Sequence, residues 1–138
     1  MAVFERPPMD LLLLADPSEH MIAQYIRDGN YYIASMAGED VGVVVLLIHN
    51  TEAIDIMNIA VVGKWQGQGF GKSLIQHVIS EATAGGYRRI LIATDNSSIG
   101  QLALYQKYGF HMIKIEYDYL INHYKKKFLR TVYNFEIG

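Results

Sequence analysis

Three glycines alternate along a short stretch of the chain, where an apolar segment gives way to a helical pattern. They are Gly67, Gly69 and Gly71, in the stretch Gln66-Gly67-Gln68-Gly69-Phe70-Gly71-Lys72-Ser73. Because glycine has no side chain, successive backbone N–H groups can approach a ligand closely and point at one anion. The positive end of the following helix adds to that attraction. The spacing therefore predicts a loop that binds a phosphate group.

Two nucleotide-binding patterns resemble this stretch, and both fail. Gly71-Lys72-Ser73 looks like the end of a Walker A loop, but that motif needs a glycine where this chain has Gln66. The dinucleotide fingerprint G-x-G-x-x-G needs a third glycine, and the chain has Leu74 or Lys72 there, depending on the starting glycine. A nucleotide-binding protein is therefore disfavoured.

The composition limits the function classes. The chain has 138 residues, 51% of them hydrophobic, which predicts a single domain over residues 1–138. A net charge of -2 disfavours a nucleic-acid partner. The absence of cysteine excludes thiol nucleophiles and thiolate metal sites, and we expect no metal. The longest apolar run, Val41–Ile48, is too short to cross a bilayer as a helix, so we expect no membrane partner and a cytoplasmic location.

The first half of the chain predicts one helix and four strands. Leu11–Ala15 is a short continuous apolar run and is typical of a buried strand. A helix capped by Asp16 follows and ends at Gly29. Three strands then form a meander over Tyr31–Met36, Val41–Ile48 and Ala53–Val62.

The second half alternates helices and strands. A helix over Lys72–Ala84 follows the glycines, and Arg89–Thr94 is an apolar strand. Another helix begins near Ser98 and ends at Tyr108-Gly109, and the last strands cover Phe110–Tyr119 and Thr131–Ile137. The predicted order is β-α-β-β-β-α-β-α-β-β, an α/β (α+β) chain with a mixed sheet and helices on its faces.

Two further stretches form a set of three motifs with the glycine stretch. Asn58-Ile59-Ala60-Val61 ends the strand before the glycines, and Asn96–Phe110 contains Tyr105, Lys107 and Gly109. With the pattern Q/R-x-x-G-x-G/A at Gln66–Gly71, these stretches resemble the GNAT superfamily of N-acetyltransferases, which use acetyl-CoA. The resemblance covers Leu11 to Phe135. It implies a mostly antiparallel central sheet of about six to seven strands, flanked by helices.

The resemblance also implies where the coenzyme binds. Its pyrophosphate would lie on backbone amides of Gln66, Gly67, Gln68, Gly69, Phe70, Gly71 and Lys72. Lys72 can add charge and Ser73 a hydroxyl, although a solvated first helical turn explains both residues as well. The pantetheine arm would pair with Ile59, Ala60 and Val61, and an N–H near Ile59 or Ala60 would polarise the thioester carbonyl. Asn96 resembles an asparagine that contacts this arm.

Two residues match catalytic positions of the family. Tyr105 matches the tyrosine proposed to protonate the leaving thiolate, and a packed core tyrosine is its alternative. Asp55 falls where some histone-modifying members carry their general base. Glu52, His49 and His111 are alternatives to Asp55, and each is also explained as a surface or structural residue. Because the chain lacks cysteine, we expect the acetyl group to pass directly to an amine in a ternary complex.

The acceptor is not specified by these motifs. A small-molecule or a protein amine fits the resemblance equally. The aromatic segment from Tyr117 to Tyr124 is a candidate for the acceptor site, for a homodimer contact, or for a solvated loop with packed tyrosines. The alternative function is a non-catalytic acyl-CoA-binding module that has kept the glycine loop.

Overall fold

A computed structural model describes residues 7–94, 106–116, 120–121, 124–125 and 130–137. The first half begins with two helices, α1 (Met9–Ala15) and α2 (Glu19–Asp28). Three strands follow: β1 (Asn30–Met36), β2 (Glu39–Ile48) and β3 (Ala53–Val61). A short 3₁₀ helix (Gly63–Trp65) then leads to α3 (Phe70–Ala84) and β4 (Arg89–Thr94). The remaining strands are β5 (His111–Glu116), β6 (Leu120–Ile121), β7 (Tyr124–Lys125) and β8 (Arg130–Glu136).

Six of the strands form one sheet in the order β1-β2-β3-β4-β8-β5, and β6 pairs with β7 in a small second sheet. The β1–β2, β4–β8 and β5–β8 pairs are antiparallel. The predicted fold class, a mixed and mostly antiparallel sheet flanked by helices, is thus confirmed. Its strand count is at the lower end of the predicted range.

The chain divides into two compact units, one of Met1–Leu47 and Ile56–Val78, the other of Ile48–Asp55 and Ile79–Gly138. In the first unit, β2 is buried along most of its length, and apolar residues of α1, α2 and α3 complete the core. In the second unit, β4 supplies three buried apolar residues, and the rings of Phe110 and Phe135 lie 5.4 Å apart. None of the helices in the described ranges has the length and apolar character needed to cross a membrane.

The predicted strand over Leu11–Ala15 is wrong, because these residues belong to α1. A continuous run of leucines has neither the helical nor the strand period, and leucine is a strong helix former without the β-branch that favours strands. Pro8 stands directly before the helix and Asp10 lies in its first turn, both favourable at an N-terminus. Leu11 and Leu12 are buried, whereas Leu14 is 61% exposed, as expected for a short one-sided helix.

The predicted cap of α2 is also wrong. Ser18 is the N-cap, and its Oγ accepts a hydrogen bond from the backbone N–H of Met21 at 3.2 Å. Asp16 instead accepts from the backbone N–H of Ser18 at 3.0 Å, two residues along the chain. The predicted end at Gly29 is confirmed. An added Cβ there would meet the Leu46 carbonyl oxygen at 2.4 Å, so the close approach of β2 requires glycine.

Most other boundaries agree within a few residues. The helix after the glycines begins earlier than predicted, at Phe70, and the short β6–β7 pair was not predicted. The predicted helix beginning near Ser98 lies mostly outside the described residues. Strand β4 has the predicted bounds, because six residues between a glycine pair and a polar segment leave little ambiguity.

A buried polar cluster joins α1, α2 and β3 in the first unit. The Asn58 amide nitrogen donates to the Leu12 carbonyl and to the Tyr25 hydroxyl, both at 2.9 Å. The Tyr25 hydroxyl in turn donates to Oδ2 of Asp16 at 3.2 Å. Burial is the main reason that the pKa of Tyr25 lies well above its usual range, so the phenol remains a donor. The cluster therefore connects β3 to both helices through one side chain.

We expect Asn58→Ala to lower the free energy of unfolding by about 1–3 kcal/mol, because it removes the buried amide that donates to both the Leu12 carbonyl and the Tyr25 hydroxyl. Urea unfolding monitored by circular dichroism measures the change. Gln24→Ala is the control, since that amide contacts only the exposed His20 ring at 3.2 Å, and its expected change is within about 0.5 kcal/mol. An Asn58→Ala protein as stable as the control would contradict the structural role of this cluster.

Candidate active site

The glycine loop, defined as Gln66–Lys72, turns directly into α3. The Gly69 carbonyl accepts the backbone N–H of Ser73 at 3.0 Å, which is the first helical hydrogen bond. The N–H groups of Phe70, Gly71 and Lys72 therefore lie in the first turn, where an α-helix offers them no acceptor. Gly67 and Gly69 have φ of +78° and +91°, a conformation that other residues rarely adopt. The backbone thus combines glycines at positive φ with a helix N-terminus, and the binding of an anion there stays a prediction.

The space in front of these amides is open. A Cβ built on Gly67, Gly69 or Gly71 would meet no atom within 4 Å. The side chains of Lys72 and Ser73 are exposed in the same first turn. Among the described residues, no atom therefore obstructs the glycine positions of the loop, which leaves its backbone accessible to an anionic group.

Side-chain contacts fix the loop to the strand before it. Gln66 donates from Nε2 to the Val61 carbonyl at 3.0 Å, and its backbone N–H donates to the Gly63 carbonyl at 3.2 Å. The Trp65 ring lies edge-on to Phe70, with ring centres 5.8 Å apart. Gln66 thus anchors the loop through its side chain. The sequence prediction considered only its backbone N–H and missed this role.

The three predicted partners of the pantetheine arm lie at the end of β3. Ala60 is buried, and Ile59 and Val61 are half-buried. At Gly42 in β2, an added Cβ would meet both the Ala60 carbonyl oxygen and Leu74 of α3 at 3.1 Å. This glycine therefore allows β2 and α3 to pack closely against the end of β3, directly before the loop.

Asp55 and His49 form a hydrogen-bonded pair in the second unit. The Nδ1 atom of His49 lies 2.9 Å from Oδ2 of Asp55. The Asp55 side chain is 2% exposed and that of His49 is 29% exposed. The other carboxylate oxygen, Oδ1, is buried without a hydrogen-bond partner in the part of the chain that the structure describes. Burial raises the pKa of Asp55 to about 6, against the lowering effect of the His49 charge and hydrogen bond.

A tight turn between β2 and β3 positions this pair. The backbone N–H of His49 donates to the Ala53 carbonyl at 3.0 Å, and Oδ1 of Asn50 accepts from Glu52 and Ala53. The Glu52 carbonyl accepts from the backbone N–H of Arg88 at 2.7 Å. His49 faces Ala53 across this turn, and Asp55 lies two residues further along β3 on the same face, so the pair is a diagonal contact between neighbouring strands.

The remaining predicted site residues are either exposed or outside the described residues. Glu52 is exposed, and its carboxylate lies 3.6 Å from Nη2 of Arg89. His111 is exposed at the start of β5. Tyr105 and Asn96 lie outside the described residues, as does most of the aromatic segment from Tyr117 to Tyr124. Among the candidate bases, Asp55 thus combines burial, a raised pKa and an unpartnered oxygen.

Comparisons with known proteins agree with this arrangement. A family model described as an acetyltransferase (GNAT) domain matches residues 27–112. An uncharacterized N-acetyltransferase of Bacillus subtilis, YvbK, is 45% identical over 115 residues, which are 83% of this chain and 74% of that protein.

Two solved structures superpose along nearly the whole chain. A GNAT family acetyltransferase from Elizabethkingia anophelis with acetyl-CoA bound has a TM-score of 0.88 and 37% identity, over 99% of this chain and 95% of that one. A Bacillus subtilis acetyltransferase in complex with CoA has a TM-score of 0.83 and 36% identity, over 97% and 95%. These matches confirm what the glycine loop and its flanking elements indicated: the chain belongs to the GNAT family of N-acetyltransferases.

Proposed function

We propose that this protein transfers an acetyl group from acetyl-CoA to a primary amine, with both substrates bound at once. The glycine loop is the observation that carries the proposal, because its amides and open space suit the diphosphate of the coenzyme. The similar proteins with acetyl-CoA or CoA bound support the same ligand. Asn96, Ile59, Ala60 and Val61 are the further contacts that we propose for the pantetheine arm.

In the proposed reaction, Asp55 takes a proton from the ammonium form of the substrate, and the neutral nitrogen then attacks the thioester carbonyl carbon and releases its second proton to water. A C–N bond forms, the C–S bond breaks, and the thiolate leaves with a proton from Tyr105. Asp55 suits the first task because an ionised carboxylate with one unpartnered oxygen can accept a proton, and a pKa of about 6 keeps it ionised at neutral pH. The absence of cysteine supports direct transfer.

The loop is tested by Gly69→Val. A side chain there would occupy the open space before the first helical N–H groups and would disfavour the φ of +91°. We expect coenzyme A affinity, measured by isothermal titration calorimetry, to fall by roughly a hundredfold, about 2.7 kcal/mol.

Gly86→Val is the matched control for the loop. Gly86 has a φ of +79°, and its added Cβ would also meet open space, but it follows the C-terminal end of α3. The 15 residues of α3 separate the two glycines by about 22 Å. This control carries similar backbone strain and should bind normally. Unchanged affinity in Gly69→Val, or equal losses in both variants, would contradict a phosphate-binding loop.

The base is tested by Asp55→Asn and by the pH dependence of kcat/KM for the amine. A neutral carboxyl cannot accept the proton, so the rate should fall as the pH drops through about 6 and level off above it. Asp55→Asn should lower kcat by roughly a hundredfold or more while coenzyme A still binds. Release of the coenzyme thiol measures turnover, and acceptors of different basicity separate the enzyme's acid limb from the ionisation of the amine. Wild-type turnover in Asp55→Asn would contradict its role as base.

The non-catalytic acyl-CoA-binding module remains the second candidate. The buried Asp55 disfavours it, because Oδ1 has no hydrogen-bond partner among the described residues, and a buried carboxylate in this state is costly without a use. Tyr105→Phe separates the two functions further, since loss of the phenol should slow thiol release without weakening the binding of the coenzyme. If the wild type binds the coenzyme but releases no thiol from acetyl-CoA with any amine tested, the binding module is favoured.

A further inference from the structure

The Asp55–His49 pair contains more than a candidate base. A carboxylate can only accept hydrogen bonds, so the 2.9 Å contact requires that Nδ1 of His49 carry the proton. The His49 side chain is 29% exposed, whereas that of Asp55 is 2% exposed. The contact uses Oδ2 alone, and the buried Oδ1 has no partner among the described residues.

Within the described chain, His49 is also the charged neighbour that acts on Asp55. The other charged side chains of this turn, Glu52 and Arg89, lie 3.6 Å from each other. The His49 backbone N–H donates to the Ala53 carbonyl, and the Asn50 side chain holds the turn by accepting from the backbone N–H of Ala53. The imidazole is thus presented to one oxygen of Asp55 by a turn that is itself fixed by hydrogen bonds.

We propose that His49 is the positioning residue for Asp55: its Nδ1–H holds Oδ2, orients the carboxylate and leaves Oδ1 to accept the proton of the amine. This inference rests on the proposed function of Asp55 as base. His49 does not take the proton itself. Its hydrogen bond stabilises the ionised carboxylate in a buried environment that otherwise favours the neutral acid.

The test compares His49→Ala with His49→Asn. Alanine removes the donor, whereas the side-chain amide of asparagine carries an N–H at the δ position that Nδ1 occupies in histidine. We expect His49→Ala to move the acid limb of kcat/KM to higher pH by about one pH unit and to lower kcat at pH 6 several-fold, with KM for acetyl-CoA unchanged. His49→Asn should restore most of the wild-type profile.

Two further variants keep the comparison decisive. His49→Gln replaces alanine if that variant does not fold, because its amide lies one bond too far from the backbone to replace Nδ1. His20→Ala removes an exposed histidine of α2 whose ring lies 3.2 Å from Nε2 of Gln24, and its profile should match the wild type. A purely structural role of His49 would alter the unfolding midpoint of the variants without moving the acid limb.

A second readout does not need turnover. Carbon-13 NMR of the Asp55 carboxyl, titrated without substrates, should give a higher pKa in His49→Ala than in the wild type, and a restored one in His49→Asn. An unmoved carboxyl pKa and acid limb in His49→Ala would overturn the proposal, as would equal changes in His49→Ala and His49→Asn. If the carboxyl pKa changes among the variants as expected but the wild type releases no thiol, only the proposed function is contradicted.

Discussion

An α-helix leaves its first N–H groups without acceptors, and this protein keeps the space before those of α3 open. Most proteins fill such a position with a capping side chain, which satisfies the amides and removes their capacity to bind. Here Gly69 stands before Phe70, so no cap is available. The unsatisfied amides and the helix dipole then favour an anion. Each contact around the loop serves to keep that arrangement in place.

The supporting contacts come from the strand that enters the loop. Gln66 returns to the Val61 carbonyl, and the backbone N–H of Val62 donates to the Val41 carbonyl at 2.9 Å. Gly42 allows β2 and the side chain of Leu74 to approach the end of β3. An anion-binding loop of a chain with a net charge of -2 therefore needs no basic surface, because backbone dipoles held by a packed strand supply the attraction.

The sequence predicted features that follow from local chemistry. The glycine loop before a helix, the strand β4 and the end of α2 at Gly29 could all be predicted from residue type and spacing. The error over Leu11–Ala15 arose because a run of leucines has no period, and its state depends on which neighbours cover it. The cap at Ser18 depends on the residue at which α2 begins, and the pairing of His49 with Asp55 depends on geometry across a turn. Such contacts join residues that were each considered separately.

Strand β3 carries two buried polar side chains, and their partners distinguish their roles. Asp55 and Asn58 are three residues apart, so a regular strand directs them to opposite faces. Asn58 is neutral and uses its amide nitrogen for two hydrogen bonds, which makes it a link between elements. Asp55 is ionisable and makes one hydrogen bond, to His49, among the contacts of the described residues. Its Oδ1, like Oδ1 of Asn58, is buried without a partner there. Since a missing hydrogen bond costs more on a buried charge than on a neutral amide, structure alone explains Asn58 more readily than Asp55. The proposed role of Asp55 as proton acceptor accounts for this difference.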